Sequence, residues 1–309
     1  MPIILLINLK GGVAKTTNAV AIAECFASEG LRTLLIDADH QCMASELLLG
    51  EDRLMRADRS KTTLHDLLAA MLDDEFEPHQ IGHYVVPGVS NIGDGIQNFS
   101  VMPCSMRIDD FSTNMAKAKR GFHSNDEFLT VLNRRRQQFQ KWLSDNAAFT
   151  IVDCPPNLAL QVKFLLPVAD AFIVPSVPDR LSVRGSLYLL DRIAKLGYTR
   201  IKGIGTLWSL YREQNHVHRE VVARAIKGVE PFCRLPRPFE TIIPNATAIA
   251  DATDPDKRPA TFAAKYTPTF AKVFHRLCEE IVVRTEWQPA TQDSSAPKDK
   301  TGRRKAAKV

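Results

Sequence analysis

No two cysteines in this chain stand at metal-ligand or redox spacing. The six, Cys25, Cys42, Cys104, Cys154, Cys233 and Cys278, are scattered without a Cys-x-x-Cys pair. This excludes a zinc-finger or iron–sulfur framework and fits a reducing cytoplasm. No apolar run approaches the roughly 20 residues needed to cross a bilayer. No charged leader precedes the first apolar run, so no signal peptide is expected. A strong charge of one sign is also missing: 40 Lys and Arg face 35 Asp and Glu, for a net charge of +5 and a pI near 8.9. That balance permits contact with nucleic acid without demanding it.

The chain does have a large apolar fraction, 45% of 309 residues, enough for a substantial core. Apolar runs alternate with helical patterns. This predicts an α/β fold, a doubly wound, mostly parallel sheet with helices on both faces. The run at 3–7 predicts a buried strand. It leads into Lys10-Gly11-Gly12-Val13-Ala14-Lys15-Thr16-Thr17, and Thr16 and Thr17 open a helical stretch that continues over 18–28. Strand, glycine-rich loop and helix start form the setting of a phosphate-binding loop. Its backbone N–H groups and the helix N-terminus face the phosphates. Lys15 would pair with the β- and γ-phosphates of ATP, and the Thr16 hydroxyl would hold Mg²⁺. Taken alone, a Gly-Gly turn after a strand means little; further motifs in order give it weight.

Those motifs follow. Residues 33–36 predict a second buried strand ending in Asp37-Ala38-Asp39-His40-Gln41. The stretch 149–156 ends a third strand in Asp153, then Cys154-Pro155-Pro156. The run at 169–176 predicts another strand, followed by a helix over 182–195. Carboxylates at the C-terminal ends of parallel strands lie where doubly wound sheets bind ligands. They could also be plain strand-end carboxylates in solvated turns. Cys154 reads as a small buried filler.

Lys10, the lysine at the front of the loop, is not part of the standard pattern. With it, residues 10–17 resemble the deviant Walker A motif of the ParA/MinD group of ATPases, and the likeness to ParA/Soj-type partition ATPases covers about 3–283. The resemblance implies a homodimer that closes over two ATP molecules, each Lys10 reaching the partner's nucleotide. It implies that Asp39 positions the attacking water, that Asp37 lies near the Mg²⁺ shell and that Asp153 holds Mg²⁺. The segment Ile242-Ile243-Pro244-Asn245 is similar to the family's adenine-packing segment, which makes Pro244 the candidate base contact; a strand-terminating proline reads equally well. Three positions depart from the family pattern. Leu9 takes the usual first glycine position, as in other ParA-like chains. Ala14 takes the glycine before the loop lysine and gives up freedom at positive φ. His40 takes the place of a proline.

The resemblance also implies non-specific double-stranded DNA as a partner, held by basic residues of the C-terminal half. The candidates are Arg212, Arg219, Arg224, Lys227, Arg234, Arg237, Lys257 and Arg258. Such contacts reach phosphates and depend steeply on salt. The arginine common after the family's Ile-Pro pair is Asn245 here. No helix-turn-helix is evident, and with the first strand at the start of the sequence no N-terminal DNA-reading domain is expected. A ParB-like or other cargo-adaptor protein is the expected stimulating partner. The expected location is cytoplasmic, on the nucleoid in the ATP state. Unlike MinD-type chains, the end of this sequence lacks an apolar stripe, so no membrane partner is expected.

The expected organisation is an ATPase domain over 1–285 and a disordered basic tail over 286–309. Within the domain, 50–126 reads as a variable, insertion-like region. There, 62–72 predicts an amphipathic helix, 86–98 a glycine-rich loop and 101–103 the end of a short strand; 106–125 is polar. A helix is predicted over 125–144, capped by Asn125, with Phe128, Leu132, Phe139 and Leu143 on one face and Arg134, Arg135, Arg136 and Lys141 mainly outward. A last helix is predicted over 270–283. Four functions fit: a weak switch ATPase that segregates a plasmid or chromosome, a positioning ATPase for a protein cargo, a metabolic ligase or amidase on the same fold, or a regulatory nucleotide-binding protein with little turnover, which Ala14 and His40 leave open. Lys10 speaks against the ligase.

Overall fold

The computed structural model describes residues 1–288 except 74, 199 and 255. The basic tail expected from 286 onward therefore lies almost wholly outside the described residues. The chain runs β1 (Ile3–Leu6), α1 (Lys15–Ser28), β2 (Thr33–Asp37), α2 (Met43–Leu49), α3 (Glu51–Arg59) and α4 (Leu64–Ala70). Next come β3 (Val86–Val89), β4 (Ile96–Met102), α5 (Phe111–Lys119), α6 (Asn125–Asn146), β5 (Phe149–Asp153) and α7 (Leu160–Leu165). The last third holds β6 (Ala171–Ser176), α8 (Arg180–Lys195), β7 (Lys202–Trp208), α9 (His216–Ile226), α10 (Thr247–Asp251) and α11 (Phe262–Thr285).

The strands form one seven-stranded sheet in the order β3-β4-β2-β5-β1-β6-β7. All neighbours are parallel except β3 against β4. The predicted doubly wound class is what the chain adopts. Successive side chains of a strand face opposite sides. Ile4 and Leu6 accordingly enter one core with α1 and α11, while Ile3, Leu5 and Ile7 enter another with α4, α6 and α7. Each fully buried aliphatic side chain contributes about 1.5–3 kcal/mol. Helix α1 is apolar almost all round because it is covered almost all round: Ala19 to Ala23 and Cys25 are fully buried.

A buried ion pair ties α1 to α11. Glu24 Oε1 accepts from Lys265 Nζ at 2.7 Å and from Ser90 Oγ at 2.6 Å, and Oε2 accepts from Tyr266 Oη at 2.9 Å. Both charged side chains are essentially solvent-free.

Several expectations are corrected. The segment 86–98 is not a loop: its two ends belong to the antiparallel pair β3 and β4. Strand β4 pairs with β2 inside the sheet, so 50–126 supplies sheet as well as surface. Two glycines at positive φ disguise the pair as a loop: Gly88 at a register shift within β3, and Gly93 in the turn between the strands. Ser124, not Asn125, caps α6; its side chain accepts the Glu127 amide. Arg135 does not face outward. It is buried, donates to the carbonyls of Phe76 and Asp73, and stacks over the Phe76 ring. Arg136 is half-buried over Phe164. Helix α11 starts earlier than expected, with a break at Thr267 before Pro268. Among the described residues no helix is long and apolar enough to cross a membrane.

Candidate functional site

The loop after β1 is positioned from below by Asn8. Its Nδ2 donates to Pro175 O at 2.7 Å and Ser186 Oγ at 3.1 Å, and its Oδ1 accepts from Lys10 N at 3.1 Å. The fully buried Asn18 donates to Ser209 Oγ at 2.8 Å, fixing the first turn of α1 to the end of β7. Neither asparagine was singled out by its sequence motif; only the packing of β1, β6 and β7 gives them partners. Gly11 and Gly12 are exposed, Val13 is buried beneath them, and Thr16 and Thr17 are half-buried at the helix start. Gly12 has φ +68° and Ala14 has φ 61°, ψ 36°. The left-handed turn here thus uses one residue suited to it and one that is not.

Lys15 is buried, and its Nζ donates to Lys10 O at 3.2 Å, folding back over the loop. Burial pushes its pKa down, while Asp153, Cys154 and Asp39 pull it up. Lys10 points elsewhere. Its Nζ lies 3.3 and 3.4 Å from the two oxygens of Asp179, the N-cap of α8. Asp179 was missed in sequence because the helix was expected to start at Ser182; an aspartate just before a helical run is the signal that could have found it.

Asp37 and Asp153 end adjacent parallel strands in register. Their carboxylates differ in surroundings. Asp37 Oδ2 accepts from Ser45 N at 2.8 Å and Ser45 Oγ at 2.6 Å, and Oδ1 accepts from Asp39 N at 3.1 Å. Burial raises its pKa to about 6 despite these donors. Asp153 is fully buried, and neither of its oxygens has a partner at full hydrogen-bond geometry, although the Thr16 hydroxyl lies close. Burial first, and the Asp37 charge second, push its pKa well up, with Thr16 and Lys15 pulling the other way. A buried carboxylate short of donors is costly unless a cation meets it. Oxygen ligands from Asp153 and Thr16, beside a phosphate loop, suit a hard divalent cation such as Mg²⁺. Asp39 sits at the mouth: Oδ1 accepts from Gln41 N at 3.1 Å, and His40 Nδ1 lies 3.6 Å away.

The predicted base segment runs beside the stretch of chain that follows β7. Pro244 bridges to Tyr211, and Asn245 N donates to Tyr211 O at 2.8 Å. The Asn245 carboxamide oxygen accepts from Arg212 Nε and Nη2 at 2.7 and 2.9 Å. A guanidinium from another loop therefore reaches the place where the family often has an arginine. The DNA candidates are exposed except for half-buried Arg224. Three are engaged by carboxylates: Arg224 with Glu220, Arg234 with Asp191, and Lys257 with Asp251 and Asp254.

A glycine-rich loop carrying two lysines, entering a helix beside paired strand-end aspartates, defines a P-loop nucleotide-binding protein of the deviant Walker A kind. The AAA_31 family model, an AAA domain, matches residues 1–203. The chain is 26% identical over 286 residues to the chromosome partitioning protein ParA of Caulobacter vibrioides, covering 90% of this chain and 92% of that protein. Its fold matches an ATP complex of Cyanothece McdA with a TM-score of 0.67 at 20% identity, covering 94% and 99% of the two chains. It also matches cobyrinic acid a,c-diamide synthase of Mycobacterium smegmatis, with bound ATP analogue and magnesium, with a TM-score of 0.64 at 20% identity, covering 93% and 96%. The chain belongs to the AAA_31 family and is a ParA/MinD-type ATPase.

Proposed function

We propose that this protein is an ATP-dependent dimerising switch that binds double-stranded DNA without sequence preference and drives segregation of a plasmid or chromosome. The observation that carries the nucleotide part is the buried carboxylate of Asp153, short of donors, in register with Asp37 and facing the loop of Lys15 and Thr16. Gly11 to Thr17 hold the phosphates through backbone N–H groups, and Pro244 packs on the base. Thr16, Asp37 and Asp153 would hold Mg²⁺, which would supply charge neutralisation at the phosphates. Lys15 stabilises charge on the transferred group, and Asp39 orients the attacking water. Lys10 leaves Asp179 and crosses to the second subunit. Turnover is slow until a ParB-like or other cargo adaptor stimulates it.

The domain reading is one ATPase unit over 1–285, active in the cytoplasm and on the nucleoid in its ATP form. The DNA reading rests on the family and on exposed basic residues such as Arg212, Arg219, Lys227 and Arg237. The fold alone is shared with a diamide synthase. Lys10 favours the switch over metabolic chemistry.

The test is binding to long random-sequence duplex DNA with ATP, ADP or no nucleotide, for wild type and Asp39→Ala. Binding that needs ATP, persists in Asp39→Ala and falls steeply with salt supports the proposal. Absence of binding at low salt in every nucleotide state overturns the DNA role.

A further inference from the structure

A cavity of about 380 Å³ lies between α6, the end of α7 and the turn from α8 to β7. Ala169 and Ile201, just ahead of β6 and β7, line it, so it opens at the N-terminal ends of these strands. The phosphate loop follows the C-terminal end of β1, which is parallel to β6, and is therefore at the other end of the sheet.

The cavity wall is rich in donors. Arg136, Asn133, Gln137 and Gln140 come from α6, and Tyr198 and Arg200 from the turn. Arg136 is the unusual member. Its guanidinium lies 5.1 Å over the Phe164 ring. Nη1 donates to Asn133 Oδ1 at 3.1 Å, and Nη2 reaches Lys163 O only at 3.5 Å. Nε is buried without any acceptor. Burial pushes the pKa of this guanidinium down; Tyr198 opposes it and no carboxylate does. Tyr198 Oη is spent on Lys163 O at 3.1 Å. The nearby carboxylate of Asp170 is directed to the amide of Ile3 at 2.8 Å.

A half-buried guanidinium whose described contacts are amide and carbonyl oxygens and a phenyl ring, with no carboxylate among them, keeps its charge available to an anion in the cavity. Planar guanidinium groups favour oxyanions that can take two hydrogen bonds. The volume is at the lower end of small-molecule sites. We propose that this cavity is a second ligand site, separate from the nucleotide site, which takes a small molecule through a phosphate or carboxylate group held by Arg136 and Arg200. The site stands whether or not the partition reading does.

The test is calorimetric titration of the full-length protein with inorganic phosphate, the nucleotide loop first filled with Mg²⁺ and a non-hydrolysable ATP analogue. One-site binding is expected, weakened tenfold or more in Arg136→Gln and several-fold in Arg200→Gln, and retained in Lys15→Gln. Arg200 is exposed, so its variant keeps the test valid should Arg136→Gln fold poorly. Displacement of phosphate by succinate would assign a carboxylate ligand; resistance to succinate would assign a phosphate. Phosphate binding absent up to about 20 mM, or unchanged in both arginine variants, would overturn the proposal.

Discussion

Lys10 Nζ lies 3.3 Å from Asp179 Oδ2, while Asp179 Oδ1 accepts the Ser182 amide at 2.7 Å. One carboxylate thus starts α8 and holds the loop lysine within its own subunit. The lysine proposed to act across a dimer is engaged in cis.

Release of Lys10 should be cheap. The two side chains are 35% and 32% exposed, and such pairs contribute about 0–1 kcal/mol. Asp179→Asn keeps a good helix cap and frees the lysine. Its ATP-dependent self-association should strengthen by up to about fivefold for each released lysine, or about thirtyfold for a dimer that uses two, whereas Lys10→Ala should abolish it. Sedimentation velocity with and without ATP measures both. Unchanged association in Lys10→Ala would remove the dimer role of this lysine.

Ala14 carries a φ of 61°, in the left-handed region. That region costs a non-glycine residue about 1–2 kcal/mol, and glycine loses about 0.5–1 kcal/mol more chain entropy on folding. Ala14→Gly should therefore stabilise the protein slightly, by roughly 0.5 kcal/mol. Gly12→Ala, at φ +68° and with open space around it, should lose roughly 0.5 kcal/mol by the same balance. Urea denaturation of the two variants separates backbone strain from packing.

Asp37 titrates near 6 when folded against an ordinary 3.8, and Asp153 shifts in the same direction. Between these values the folded chain holds protons that the unfolded chain has released. Stability of the metal-free protein should fall as pH rises from about 4 through about 6, and fall further until Asp153 also ionises. Asp153→Asn should raise the metal-free Tm near neutral pH by several degrees and remove the stabilisation given by Mg²⁺ with nucleotide. Thermal scans across pH, with and without Mg²⁺, check the direction; a Tm that rises through this window in the metal-free protein would contradict it.

Lys265→Met leaves Glu24 charged, buried and without its cation. Breaking such a pair costs about 3–5 kcal/mol. The double variant Glu24→Gln with Lys265→Met should recover much of that loss, because no isolated charge remains. Equilibrium unfolding of the single and double variants reads the coupling directly.

The strands of the nucleotide site were legible because each is a short apolar run ending in a chemically distinctive residue. The run at 3–7 points to Lys10 and Lys15, 33–36 to Asp37, and 149–152 to Asp153. The expected strand end at 101–103 is the end of β4, but β3 and the start of β4 were hidden, since β3 is only four residues with Pro87 and Gly88 at its centre and the link between the two is rich in glycine. Arg135 and Arg136 misled for a related reason: composition marks arginine as a surface residue, yet carbonyls and aromatic rings on other elements accept these side chains.

The amino-acid sequence by itself determined the sheet class, the loop chemistry and the residues that meet at the strand ends, because local patterning and motif spacing act over short stretches of chain. Only the tertiary structure decided which partners those residues have. Asp179 lies 169 residues from Lys10 in the chain, and Lys265 lies 241 from Glu24. Such pairings depend on how helices and strands pack after long loops close, and their energies come from burial, which no single segment possesses alone.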